Sequence, residues 1–141
     1  MVLPLLALVG CCSTFDRDFD ACRTSAGSAP LAGAWEGSWH SDPSGHHGGL
    51  RCILTRTDSG YRARYDATFT FVICPIGFEY EVPLLAVQDG DVWRFRGAAE
   101  IDYFIAGGLY EYEGLVSGDE FVASYRSSFD SGIFRMKRAR R

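Results

Sequence analysis

The chain lacks a surplus of positive charge. Fourteen Lys and Arg stand against eighteen Asp and Glu, for a formal charge of −4 and an isoelectric point near 5.3. That balance argues against a general polyanion binder and so against a nucleic-acid partner. It also lacks the spacings of common metal and phosphate centres: there is no Cys-x-x-Cys, no His-x-x-x-His, and no Gly-Lys-Ser/Thr after its one Gly-rich loop. From Ala34 onward no segment carries the 3.6-residue period of a helix. What is present suits a single packed domain. The chain has 141 residues, 47% hydrophobic and 23% charged, which is enough apolar material for a core and too little charge for disorder.

Residues 1 to 10 are apolar throughout and then reach Cys11 and Cys12. Such a run is too short to cross a bilayer but suits the core of a signal peptide. The other reading is a buried N-terminal strand, which no turn chemistry supports. Leu8-Val9-Gly10-Cys11 resembles the lipobox of bacterial lipoproteins. The resemblance implies cleavage before Cys11 and lipidation of its thiol. It also implies anchoring to the cell envelope, with the domain exposed to periplasm or surface. The next residue is Cys12 rather than the Asp that favours inner-membrane retention in enterobacterial lipoproteins, which points to the outer membrane where the host has one. Acyl chains gain about 0.8 kcal/mol per buried methylene, so several on one cysteine hold a protein without a spanning helix. Residues 11 to 33 read as a flexible tether, with Asp16, Arg17, Asp18 and Asp20 as a solvated face.

Residues 34 to 139 form the domain, and their period is two. In residues 61 to 73, Tyr61, Ala63, Tyr65, Ala67, Phe69, Phe71 and Ile73 alternate with mainly polar residues, the mark of a half-buried antiparallel strand. Seven other segments alternate likewise, with inward sets that begin at Trp35, Leu50, Phe78, Trp93, Tyr110, Phe121 and Phe134. Ser59-Gly60, Asp89-Gly90 and Gly118-Asp119 suit two-residue hairpins. They set Cys52 opposite Ala67, Phe95 opposite Leu84 and Tyr125 opposite Tyr112. Sequential hairpins with one buried face predict an all-β, eight-stranded up-and-down meander barrel without substantial helix.

Gly33-Ala34-Trp35 resembles the Gly-x-Trp opening of lipocalins, whose Trp stacks under an Arg of the last strand. The resemblance makes Trp35 and Arg138 a barrel-closing pair. Avidin-like and lysozyme-inhibitor barrels share the eight-stranded meander, and no motif selects among the three.

Three tight turns close one barrel end, so a ligand mouth belongs at the other, beside the connections 41 to 49, 74 to 77, 103 to 108 and 128 to 131. His46, His47 and Cys74 are candidate metal ligands there, because the expected register sets Cys74 opposite Gly45; a solvated loop is the plainer reading. With Cys11 acylated, Cys12, Cys22, Cys52 and Cys74 leave three full pairings open. Cys52 to Cys74 is too far, at roughly 23 Å along the strand; Cys22 to Cys74 is allowed, and Cys52 also reads as a small buried hydrophobe. Inward Tyr61, Tyr65, Tyr80, Trp93, Tyr110, Tyr112 and Tyr125 either fill the barrel or line an aromatic pocket. Paired Glu79/Glu81 and Glu111/Glu113 read as solubilising faces. Ser127, Ser128, His47 and Asp130 have triad residue types with nothing to orient them. The basic C-terminus, Arg135, Lys137, Arg138, Arg140 and Arg141, reads as solvated, with contact to anionic lipid as the alternative.

The expected function is therefore a non-catalytic, membrane-anchored binding barrel that needs no cofactor and carries a small hydrophobic ligand. The alternatives are a protein-interaction module, such as an inhibitor of an exported hydrolase, and a metal-binding envelope protein.

Overall fold

The computed structural model describes residues 14–25, 30–71, 73–102 and 107–140, with Phe71 described by its backbone only. Its elements are α1 (Thr14–Thr24), β1 (Gly33–Ser41), β2 (His47–Thr57), β3 (Gly60–Phe71), β4 (Cys74–Asp89), β5 (Val92–Ile101), β6 (Gly108–Ser117), β7 (Glu120–Arg126) and β8 (Ser131–Arg138). The strands close in chain order into an all-antiparallel barrel, β8 returning to β1 through pairs such as Trp35 with Arg138. Period-two alternation decides the faces. Leu50, Cys52, Ala63, Tyr65, Val82, Phe95, Tyr112, Phe121 and Phe134 are buried in one inner core, while Arg62, Glu81 and Arg96 stay exposed outside.

Two of the three hairpin registers differ from the sequence expectation by two residues. Asp58-Ser59 forms the β2–β3 turn, so Cys52 faces Tyr65 rather than Ala67. Gly90-Asp91 forms the β4–β5 turn, so Phe95 faces Ala86 rather than Leu84. The β6–β7 register, with Tyr112 opposite Tyr125, is the expected one. A slip of two leaves every side chain on its own face, so facial parity cannot detect it. Gly90 and Gly118 open their turns at φ 63° and 60°, the left-handed region that primed hairpin turns demand.

Residues read as part of the flexible tether include a docked helix. In α1, Phe15, Phe19 and Cys22 fall at i, i+4 and i+7, one narrow apolar stripe. Phe15 and Phe19 are buried with Ala34, Ile53 and Ala139 on the outer wall of the barrel. Burying each phenylalanine contributes about 1.5 to 3 kcal/mol. The Arg51 guanidinium lies 5.0 Å and 5.2 Å from the two ring centres, and Arg64 lies 5.1 Å from Phe15. The acidic cluster is correspondingly engaged rather than a solvated face. Asp16 meets Arg51 at 2.7 Å and Asp18 meets Arg64 at 2.8 Å. The Arg64 bond holds the Asp18 carboxyl below its ordinary pKa.

Candidate functional site

One end of the barrel is sealed. Trp35 is fully buried; its indole Nε1 donates to the Leu31 carbonyl at 3.1 Å, and Leu31 itself plugs the floor. Arg138 lies 4.3 Å over the Trp35 ring and donates to the carbonyls of Ala32 and Pro30, each at 2.9 Å. With its Nε 3.4 Å from the Asp119 carboxylate, the guanidinium is held in place while its face covers the indole, a cation–π contact of about 1 to 2 kcal/mol in a desolvated setting. Two of the sequence-selected aromatics, Tyr61 and Trp93, stand in this half, near the turns at 58–59 and 90–91.

Rings fill the middle. Tyr65 is fully buried, with ring centres 5.2 Å from Tyr80, 6.1 Å from Tyr112 and 5.4 Å from Phe134. Its hydroxyl has no hydrogen-bond partner among the described residues. Burial, followed by the neighbouring thiol and phenol of Cys52 and Tyr112, pushes the Tyr65 pKa well up. Burial does the same to Tyr80 and Tyr112.

Above this layer the same ring column becomes half-exposed. It passes from Tyr80 to Phe78 (5.8 Å), to Phe69 (6.4 Å) and to Trp39 (6.4 Å), whose indole donates to the Thr68 carbonyl at 2.9 Å. Trp39, Phe69, Phe78 and Tyr80 are all partly exposed, whereas Tyr110 and Tyr125 remain buried. Trp39, Phe69 and Phe78 were legible as inward residues, yet only the tyrosines and Trp93 stood out as ligand candidates. Exposed Ile73, Ile76, Leu109 and Phe129 add apolar surface at this end.

Among the described residues the β4–β5 ladder does not reach the open end. β4 and β5 pair only from Leu84–Gly97 down to Asp89–Val92, although both strands continue upward. Pro83 explains where the ladder stops. A Cβ on Gly97 would sit 2.3 Å from the Pro83 carbonyl oxygen, so that carbonyl faces β5. A strand residue's amide nitrogen points to the same side as its carbonyl, and the hydrogen that proline lacks is the next one the ladder requires. Beyond Pro83 the same register would oppose Glu81 to Glu100 and Glu79 to Asp102. Like charges directly opposite are destabilising. The β4–β5 ladder therefore stops at Leu84–Gly97 among the described residues.

A polar latch ties two connections together beside the mouth. Ser41, 2% exposed, donates to Asp130 at 2.6 Å; Tyr125 donates to the other Asp130 oxygen at 3.1 Å, and Ser44 donates to Ser41 at 2.9 Å. Burial first, and then the Asp130 charge, raises the Tyr125 pKa. Asp130 thus joins a serine and a tyrosine, with Ser127 turned back onto its own loop. No imidazole bonds to Ser41 or Asp130 among the described residues, so the latch does not assemble the serine, histidine and aspartate of a triad there.

The metal candidates do not converge. His46 and His47 are exposed, and His47 stacks on His40 at 6.3 Å. Cys74 is exposed and stands opposite Phe71 at the start of β4, not opposite Gly45. β3 ends at Phe71 and β4 begins at Cys74, so Cys74 belongs to the next strand and the expected register does not reach it. No group of three metal-ligating side chains occurs among the described residues. Cys22, Cys52 and Cys74 are free thiols, Cys52 fully buried and Cys22 in the helix–barrel contact. Cys11, Cys12 and Tyr103 lie outside the described residues. A depression of about 1300 Å³, open to solvent, runs mainly over outward residues such as Arg62, Glu81, Arg96, Glu111 and Arg126, with inward Tyr61, Tyr112 and Tyr125 also in its lining.

Comparison with protein-family models gave no match, and neither curated proteins nor solved structures gave one.

Proposed function

We propose that this chain is a bacterial lipoprotein, anchored to the cell envelope through Cys11, whose barrel binds a small hydrophobic ligand at its open end without transforming it. The observation that supports ligand binding is the exposure gradient along one column of rings. Tyr65 is fully buried, while Trp39, Phe69, Phe78 and Tyr80 in the same column stay partly open to solvent. Aromatic walls with a few polar groups suit an apolar ligand, and the buried Tyr65 hydroxyl retains an unused hydrogen bond at the bottom of that column. Lipidation is supported by Leu8-Val9-Gly10-Cys11.

Titration of the full chain with dibromostearic acid tests the ligand. The bromines should quench Trp39, so Trp39→Phe removes most of the quenching and Trp93→Phe leaves it. Loss with Trp93→Phe instead, or no quenching at all, rejects the mouth as the site. Mass spectrometry of the N-terminal peptide from bacterial membranes tests the anchor, with acyl mass expected on Cys11 and absent in Cys11→Ser.

The filled centre favours a second reading, a protein-interaction module such as an inhibitor of an exported hydrolase. In that reading the exposed Ile73, Leu109 and Phe129 supply apolar contact at the open end.

A further inference from the structure

We propose that the outer face of β4 around Leu85 and Val87 rests on the surface of an anionic lipid membrane, so that the anchored barrel lies on its side with β4 toward the bilayer. This deepens the anchor reading and rests on acylation of Cys11. It is independent of what the mouth binds.

The start of the fold sets the direction. Only Cys12 and Ser13 separate Cys11 from Thr14, where α1 begins. Three steps of about 3.8 Å keep the Cys11 Cα within about 11 Å of the Thr14 Cα, whatever path the chain takes. Thr14 accepts a hydrogen bond from Arg64 at 3.2 Å, and its helix is fixed to the wall by Phe15, Phe19 and the ion pairs of Asp16 and Asp18. Arg64 lies on β3, opposite Glu81 of β4. Acyl chains on Cys11 therefore leave the protein near the β3–β4 flank. Leu85 follows Glu81 by four residues, about 13 Å along the strand, so a bilayer that holds those chains is within its reach.

The same flank is apolar and basic. Six large hydrophobic side chains are exposed among the described residues, and four belong to β4 or the turn before it: Ile73, Ile76, Leu85 and Val87. Leu85 and Val87 have outward parity and are 54% and 68% exposed. Leu85 stands opposite Arg96 and Val87 opposite Arg94 on β5, while Arg62 stands opposite Pro83 on β3. Arg94 pairs with Asp89 at 3.0 Å. Arg62 and Arg96 enter no ion pair among the described residues, although Glu113 is across from Arg96 on β6. Apolar side chains between such guanidiniums suit a membrane surface, where the arginine stems lie over apolar groups and their heads meet lipid phosphates. The wall is hollowed there, since Arg62, Pro83, Leu85 and Arg96 line the solvent-open depression, which leaves room for headgroups. An anchor three residues from the fold holds this face beside the bilayer at high effective concentration, so a contact too small to bind a membrane alone still sets the orientation. Arg135 and Lys137 on β8 are basic and exposed too, but β8 lies four strands from β4.

The test uses the acylated full chain, purified from bacterial membranes and reconstituted into vesicles of phosphatidylglycerol and phosphatidylcholine, with the latter either plain or brominated on its acyl chains. Leu85→Trp and Phe129→Trp each add an indole to the same parent; Phe129, 75% exposed, lies between β7 and β8 on the other side of the barrel. Brominated lipid should quench at least half of the emission that Leu85→Trp adds and less than a tenth of that from Phe129→Trp. Adding Arg62→Glu and Arg96→Glu to Leu85→Trp should remove at least half of this quenching while the acyl mass stays on Cys11. Near-UV circular dichroism verifies that each variant folds. With Cys11 acylated, no quenching of Leu85→Trp, equal quenching of Phe129→Trp, or quenching untouched by loss of the two arginines overturns the orientation and leaves the anchor standing. A Cys11 without acyl mass rejects the anchor and this proposal with it.

Discussion

The two ends of the barrel are made from the same eight alternating strands, and they differ in how each end treats its tryptophan. At the closed end Trp35 is fully buried, hydrogen-bonded to Leu31 and covered by Arg138, which reaches two carbonyls and the Asp119 carboxylate. At the open end Trp39, only four residues later on the same strand face, holds its indole bond to Thr68 but stays partly exposed above Phe69. Burial is thus not a property of the strand pattern alone. It depends on what covers the inward residue, and coverage here comes from segments outside the strands: residues 31–32 below, and at the other end the loops 42–46 and 127–130 latched by Ser41 and Asp130. The end of the β4–β5 ladder at Pro83 extends the contrast: among the described residues, the pairs between these strands all lie in the sealed half.

The contrast breaks most severely at Trp35. Trp35→Ala should cost about 3 to 5 kcal/mol, the usual range for a buried large aromatic, read as a lower denaturation midpoint in urea. Trp39→Ala should cost less than half as much, and equal losses would show that the mouth is as load-carrying as the floor. Alkaline titration sharpens the contrast at the centre. Tyr65, Tyr80, Tyr112 and Tyr125 all have raised pKa values, from burial first. A phenol raised in the fold stabilises it below the ordinary value of about 10 and loses that contribution as pH climbs toward the folded value. Tyrosinate absorbance should therefore appear for these residues together with loss of strand circular dichroism, in one step above about pH 10. Stepwise ionisation with the fold intact would mean that water reaches the column. The smallest effect concerns α1, which braces the closed half through Ala34, Ile53 and Ala139. Its Asp18 is held low by Arg64, so it stabilises docking above the ordinary carboxylate value near pH 4 and loses that as pH falls through the folded value. The protection factors of the helix amides should fall below about pH 4 while those of the barrel amides stay high.

Period-two alternation made the strands, their faces and their order legible, since each inward set reports burial directly. Register was legible only to parity: the slips at Asp58-Ser59 and Gly90-Asp91 move partners by two and change no face. The helix escaped because Phe15, Phe19 and Cys22 make just two turns of apolar stripe among charged residues, and because its anchors, Arg51 and Arg64, look like ordinary outward strand residues. Pro83 was visible, but its effect depends on which neighbour its nitrogen faces, which follows from the strand pairing. Ser41 and Asp130 meet across 89 positions of sequence, a partnership no local pattern encodes. The choice of tyrosines over Trp39, Phe69 and Phe78 weighted hydroxyl chemistry above position along the axis, and position is what sets exposure.

The seam between β1 and β8 carries a kinetic consequence. Trp35 cannot meet Arg138 until nearly all the described chain lies between them in place, so loop-closure entropy for the last pairing must be met by hairpins already formed. Such a topology places folding on the slow, millisecond-to-second side for its size. It also brings the start of β1 beside the end of β8, so that a short linker joining them, with new termini cut at Gly118-Asp119, would preserve every strand pair while exchanging which contact closes last.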